Sequence, residues 1–354
     1  MIKIIALGAI PQNRRPSSSL AWLLLIMVTP VFGLILFFLI GSPFVRGRRE
    51  RVQAQANHVI LEHTADLPPT NSELPIGMES MVRLSRRLTS LPMMTGTSHG
   101  LFGDYDASIA AMTAAVREAQ RWVHVEIYII NIKLSGQIVS ALDAVFALDW
   151  YTETGQRLPE EIIAPENYSV DQQPMQLLPS GPGYLTIPNL RLFTALVHRS
   201  QHRLSLTSPY FVPDESLLEA ITTASYRGVA VELFVSELAD QFVVQHAQAS
   251  YYQELLNAGV RIYLYPKPTV LHAKFFTVDD VAGVIGSSNM DYRSFGLDYE
   301  ISLMGTDPSF VADLQQISDD YRAACRELTA QEWTRRPRAK RYIDNVMRLL
   351  SALQ

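Results

Sequence analysis

The sequence predicts an α/β fold, a mixed or parallel sheet flanked by helices and preceded by a transmembrane helix. Three observations predict it. Residues 20–40 (LAWLLLIMVTPVFGLILFFLI) run for 21 positions without a charge, long enough to cross a hydrocarbon core of roughly 30 Å at about 1.5 Å per residue. From Asp106 onward, helix-period segments alternate with short β-branched and aromatic runs, the pattern of strands covered on both faces by helices. The 354 residues are 48% apolar, enough to fill a core of that size.

Pro30 and Gly33 interrupt the apolar run, but neighbouring helices and local adjustments can satisfy the freed carbonyls inside a bilayer. Arg14 and Arg15 precede the run, and Arg46, Arg48, Arg49 and Arg51 follow it, a bias that places the long C-terminal part in the cytoplasm. A cleaved signal peptide also pairs a basic start with an apolar run. Here the run is longer than such a core, and a basic cluster follows it instead of a small-residue cleavage site. The opening MIKIIALGAIP is too short to span alone.

Residues 46 to about 95 are polar and carry Pro68, Pro69, Pro75 and Pro92, reading as a juxtamembrane helix and an irregular linker. Helical spacing follows from Asp106 to Gln120, then a strand at WVHVEIYII, Trp122 to Ile130. A second unit begins near Arg191, with a helix leading into a strand at Arg203–Thr207 and a Pro-rich turn. SLLEAITTAS, VAVELFV, ASYYQELLNAG and VRIYLY then read as helix, strand, helix and strand, implying a mainly parallel sheet. The net charge of −5 gives no basic field for non-specific nucleic-acid binding. The single cysteine, Cys325, excludes an internal disulfide and any cysteine-cluster metal site.

The chemistry is concentrated in LHAKFFTVDDVAGVIGSSNMDYRSFGLDYEISL, where His272, Lys274 and Asp279 are spaced HxKxxxxD and Gly286, Ser287, Ser288 and Asn289 follow. In an extended strand His272 and Lys274 point the same way and can address one phosphate together. A neutral imidazole can attack phosphorus or protonate a leaving oxygen, while the ammonium holds anionic oxygens. Asn289 can add a neutral donor. Any single histidine is more often a packed or surface residue than a catalyst, but the joint pattern favours function.

HAKFFTVDD followed by GSSN resembles the phospholipase D superfamily. The wider resemblance is to bacterial cardiolipin synthases, through HVEIYII, ALDAVFALDWY, LLPSGP, TSPYFVPDESLLEAI and RSFGLDYE. It implies transfer of a phosphatidyl group between two phosphatidylglycerol molecules through a phosphohistidine, with release of glycerol and no metal or cofactor. It also implies that Glu300 orients the imidazole and that Tyr210, Phe211 and Asp214 lie near the pocket mouth, with Ser287 and Ser288 at the substrate. Anionic membrane lipids are the implied partners, with no nucleic acid. The implied location is a bacterial inner membrane, with the soluble part on the cytoplasmic side.

Full-length relatives carry two such motifs. Of the eight histidines here (58, 63, 99, 124, 198, 202, 246 and 272), only His272 has a lysine two positions later. The expected layout is therefore a segment at 1–19 read as the remnant of a first membrane helix, a transmembrane helix at 20–40, and a juxtamembrane helix and linker at 41–95. An incomplete first phospholipase D-like half at 96–187, a second half at 188–330 and a basic C-terminal helix at 331–354 follow. Three readings stay open: a homodimer pairing its single motifs, an inactive remnant, and a membrane protein that binds lipid headgroups without turnover. A phospholipase D-type hydrolase differs from the transferase only in the acceptor. His124 reads as structural or as pocket lining, Asp143 and Asp149 as ligands or, more commonly, helix-surface or capping carboxylates, and the Arg335–Arg341 run as a solvated face or a patch that attracts anionic headgroups.

Overall fold

The computed structural model describes residues 10, 16–38, 47–63, 74–101, 105–119, 123, 132–156, 158, 172–238 and 241–349. The expected strand at Trp122–Ile130, with His124, lies outside them apart from Val123. The chain divides into two compact units, Met1–Arg51 and Val52–Gln354.

In the first unit, residues 20–40 do not form the single transmembrane helix that their hydropathy predicts. They are two helices, α1 (Pro16–Val28) and α2 (Pro30–Leu36). Thr29 leaves helical geometry at φ −128° and ψ 78°. Pro30 has no N–H to continue the ladder and is pre-set for a helix start. Among the described residues no helix is long and apolar enough to cross a membrane. The charge-free run is helical on both sides of Pro30, as its length and hydropathy predict, but it is not continuous through Pro30.

Helix α3 (Gly47–His63) leads into the second unit, where α4 (Met78–Thr89) forms inside the stretch read as irregular linker. Met78 and Ser85 of α4 are fully buried. The elements that follow are β1 (Met94–Leu101), α5 (Tyr105–Glu118), β2 (Ile132–Ser135), α6 (Ile138–Thr154), β3 (Gln173–Ser180) and α7 (Pro188–Arg199). Next come β4 (Arg203–Thr207), β5 (Phe211–Val212), α8 (Glu215–Tyr226), β6 (Ala230–Ser236), α9 (Phe242–Ala249), α10 (Tyr252–Asn257) and β7 (Arg261–Tyr265). The chain then runs through β8 (Phe275–Val278), β9 (Ala282–Gly286), β10 (Met290–Asp291), α11 (Tyr292–Gly296) and β11 (Glu300–Gly305). It closes with α12 (Pro308–Ala324), β12 (Arg326–Leu328), α13 (Ala330–Thr334) and α14 (Arg338–Leu349).

Ten strands form one sheet in the order β12-β7-β6-β4-β8-β9-β11-β3-β1-β2, and β5 pairs β10 separately. The sheet is mixed. Only β4–β6 and β6–β7 run parallel within it, joined through the helices expected from the sequence, and every other described pairing in the large sheet is antiparallel. The expectation of a mainly parallel sheet failed because helix–strand alternation produces parallel neighbours only over 203–265, and the strands on either side of that stretch pair antiparallel. The short turn after β8 can join only antiparallel neighbours.

Period-two alternation separates the faces. Phe276, Val284 and Met304 pack with α7 and α8 in the larger core, whereas Phe275, Ile285 and Leu303 pack with Ile138 and Val145 of α6 and Phe310 and Leu314 of α12. Both edges end in short strands, β12 and β2, which limits pairing with other chains.

One carboxylate fastens α12 across the sheet. Glu232 of β6, 1% exposed, accepts hydrogen bonds from Arg322 Nε at 2.9 Å and Nη2 at 2.6 Å and from Arg261, with Arg203 at 3.6 Å. A buried carboxylate is tolerated only when paired this fully. Glu232→Ala should lower stability by about 2 kcal/mol, below the usual figure for a broken buried pair because the arginines reach water. A urea midpoint unchanged from wild type would refute this account.

Candidate active site

The central strands bring the motif residues together. His272 and Lys274 lie just before β8, and the carbonyl of Lys274 accepts the N–H of Gly286 at 3.0 Å, extending the β8–β9 ladder by one rung. Gly286 in turn pairs with Ser302 of β11. A Cβ at Gly286 would collide with the Ile301 carbonyl and lie 2.6 Å from Ser302 Oγ, so close approach of β11 to the GSSN loop requires glycine here.

His272 is exposed and Lys274 is 7% exposed. Lys274 Nζ sits 3.1 Å from His272 Nδ1 and donates to the His272 carbonyl at 2.8 Å. The two side chains share a face, as the alternation rule expects. Burial lowers the Lys274 ammonium to about 8, against the opposing pull of Glu300 and Asp291.

Glu300, 8% exposed, opens β11 and accepts a hydrogen bond from the Ser287 hydroxyl. Ser287 is held on both sides, its N–H donating to the Ile301 carbonyl at 2.9 Å and its Oγ accepting the Ile301 N–H at 3.0 Å. The Glu300 carboxyl is pushed up to about 7, chiefly by burial, with hydrogen bonds from Ser287 and Ser294 pulling the other way. Asn289 Nδ2 donates to Ser294 Oγ at 3.3 Å, while its buried Oδ1 has no hydrogen-bond partner. Ser288 donates to the Asn289 carbonyl at 3.2 Å.

Three expected residues stand elsewhere. Asp279 lies beyond the far end of β8, where its carboxylate accepts the backbone N–H groups of Gln201 at 3.0 Å and of His202 and Arg203 at 2.8 Å each. Its φ of 48° is a left-handed conformation that Asp tolerates, and this placement joins the α7–β4 turn to the β8–β9 turn instead of joining His272. Asp214 caps α8, accepting from Ser216 N at 3.0 Å and Ser216 Oγ at 2.6 Å. Tyr210 packs partly buried against the larger core, and its carbonyl accepts from Ser208 Oγ at 2.5 Å while that hydroxyl accepts the Met290 N–H at 3.1 Å.

Sequence reasoning passed over Asp291 and Ser294. Asp291 caps α11 by accepting from Ser294 N at 2.7 Å, and burial pushes its carboxyl up to about 6. Ser294 thereby touches Asp291, Asn289 and Glu300. The D-x-x-S cap pattern before a short helix was the available signal. A cavity of about 10 Å³ beneath Lys274 is lined also by Thr207, Ser288 and Ser302, and the His272 imidazole is exposed. Among the described residues no group of three or more His, Cys, Asp or Glu side chains could hold a metal.

Residues 193–321 match the family described as cardiolipin synthase, PLD-like domain, and residues 2–42 match the phospholipase D-nuclease N-terminal family. Over residues 193–321 the chain is thus similar to the PLD-like domain of cardiolipin synthases. Cardiolipin synthase A of Yersinia pseudotuberculosis is 36% identical over 228 residues, covering 62% of this chain and 46% of that protein. The Serratia proteamaculans protein of the same name is 37% identical over the same length. The chain thus spans about half the length of these relatives. Among solved structures, phosphatidylserine synthase of Haemophilus influenzae aligns with TM-score 0.43 at 15% identity over 62% of this chain and 55% of that one. The phospholipase D family member Nuc of Salmonella typhimurium aligns with TM-score 0.38 at 18% identity, over 44% and 97%.

The raised Glu300 carboxyl carries a stability prediction. Its folded value of about 7 exceeds the ordinary 4.5, so its ionisation disfavours the fold. The penalty is absent below about pH 4.5, grows up to about pH 7 and is constant above. Glu300→Gln keeps an acceptor for Ser287 without the charge. It should gain on the wild type by on the order of 2 kcal/mol between about pH 5 and about pH 8 in urea unfolding. A difference that does not change with pH would contradict the assignment.

Proposed function

We propose that this chain is a cardiolipin synthase-type phosphatidyltransferase acting on phosphatidylglycerol at an anionic bacterial membrane. The observation that carries the reading is the exposed His272 imidazole with the Lys274 ammonium 3.1 Å from it, within a cardiolipin synthase-type domain. His272 attacks the phosphorus of one phosphatidylglycerol, the P–O bond to the headgroup glycerol breaks, and the departing oxygen takes a proton from a general acid. A glycerol hydroxyl of a second phosphatidylglycerol then attacks the phosphohistidine, loses its proton to the same group, and restores the imidazole. Lys274 and Asn289 hold the non-bridging oxygens as charge develops on them. Glu300, fixed by Ser287, acts as a positioning group beside the Lys274 ammonium.

The general acid is supplied by His272 of a second copy, an arrangement a twofold dimer provides. Asp279, Asp214 and Tyr210 serve structurally, Asp279 at the far end of β8 and Asp214 as the cap of α8. The exposure of His272 lets water compete with the alcohol, so phosphatidic acid is the side product to assay. The domain works on the cytoplasmic face of the inner membrane.

The test is conversion of phosphatidylglycerol to cardiolipin by the purified full chain in vesicles, beside His272→Ala. Wild type should form cardiolipin and free glycerol, and the variant should lose all turnover. Because Lys274 must stay protonated and titrates near 8, the wild-type rate should fall as pH rises through that value. Folded, membrane-bound wild type without product, or an unaffected variant, would sink the proposal; phosphatidic acid alone would make the chain a hydrolase.

A further inference from the structure

We infer that residues 16–38 form a re-entrant hairpin, entering and leaving one leaflet of an anionic bilayer on the same side. This stands apart from the catalytic reading and is tested without activity. In a continuous helix Trp22 and Phe37 would lie roughly 22 Å apart at about 1.5 Å per residue, yet their rings meet edge to face at 5.5 Å. The chain therefore folds back at Thr29–Pro30. Gly33 marks the crossing point, because a Cβ there would fall 3.0 Å from the backbone N and Cα of Ile26. Ile26 is fully buried between the arms, with Leu23, Leu34 and Phe37 packed around it.

The turn is suited to hydrocarbon, where polar backbone must be satisfied within the chain. Thr29 donates its N–H and its hydroxyl to the Leu25 carbonyl at 2.8 and 3.0 Å, and its own carbonyl accepts the Gly33 N–H at 2.7 Å. The outer surface is apolar on both arms. Leu20, Leu24 and Val28 on α1 and Val31, Phe32 and Ile35 on α2 are each 53–73% exposed. The arms Leu20–Val28 and Pro30–Phe38 have nine residues each, or about 13 Å, close to half of a roughly 30 Å hydrocarbon core.

Charge selects lipid as the covering surface and fixes the side. Arg14 and Arg15 flank one open end, Arg46, Arg48 and Arg49 follow the other, and the first acidic residue is Glu50. In a hairpin both basic flanks meet the same anionic headgroups, which attract them. In a spanning helix one flank would be forced to the outer side, against the usual positive bias.

The experiment places single cysteines by Ser17→Cys and Ser42→Cys in a Cys325→Ser background of the full chain, expressed in bacteria. A membrane-impermeant maleimide is applied to spheroplasts and to inverted vesicles. Both cysteines should react only in inverted vesicles, and the chain should resist alkaline carbonate extraction. Labelling of the two sites from opposite sides would establish a spanning segment and overturn the inference. Release by carbonate would overturn it as well, leaving a protein partner as the cover of this face. An inactive chain would leave either result intact.

Discussion

The site depends on the antiparallel register of three central strands. Lys274 is bonded across to Gly286, Gly286 faces Ser302, and Glu300 begins the strand that carries Ser302. Those pairings bring a cation from one segment, a hydroxyl loop from another and a carboxyl from a third to one end of the sheet. No single strand could hold them there. The ladder also explains why glycine is needed at 286, since the neighbouring backbone occupies the space of a side chain. Register errors of one residue would turn His272 and Lys274 to the opposite face, which makes the strand pairing itself part of the chemistry.

Asp279 extends the same constraint to the other end of β8. Its three backbone acceptor contacts tie two turns together and fix where the strand stops. The HxKxxxxD spacing therefore reads as two functions joined by one strand. In the proposed reaction the His–Lys end addresses substrate, and the Asp end sets the strand in place. A carboxylate accepting three N–H groups satisfies donors that neighbouring strands cannot reach.

Much of this was legible in the sequence. Alternation placed His272 and Lys274 on one face, and β4, α8, β6, α10 and β7 appear where the sequence put a strand, helix, strand, helix and strand, while β5 and α9 went unread. Glu300 was singled out through family resemblance, and the structure ties it to Ser287. Strand direction was less legible, because alternation reports which face a residue occupies and nothing about the neighbouring strand. Asp279 was misplaced for a related reason: spacing along a strand does not say which end meets the substrate. The break at Pro30 was visible as a proline but was weighed against an environment that tolerates such breaks. The deciding fact was the fit of Gly33 against Ile26, a contact between residues that linear hydropathy treats as one run.

The electrostatics of the site follow from burial opposed by partial pairing. Lys274, Asp291 and Glu300 are all moved toward neutrality, to about 8, 6 and 7, and desolvation leads in each. A fully paired cluster would behave like Glu232, whose arginines hold it in a purely structural role. The active end has one lysine facing two buried carboxyls, with serine hydroxyls supplying the remaining contacts. Such a set can gain or shed a proton near neutral pH while its side chains remain in place. An anionic phosphate arriving beside Lys274 would favour the ammonium and disfavour the carboxylates, so binding should shift protons toward the site. The arrangement matches a reaction in which negative charge is brought in by the substrate and moves during bond exchange.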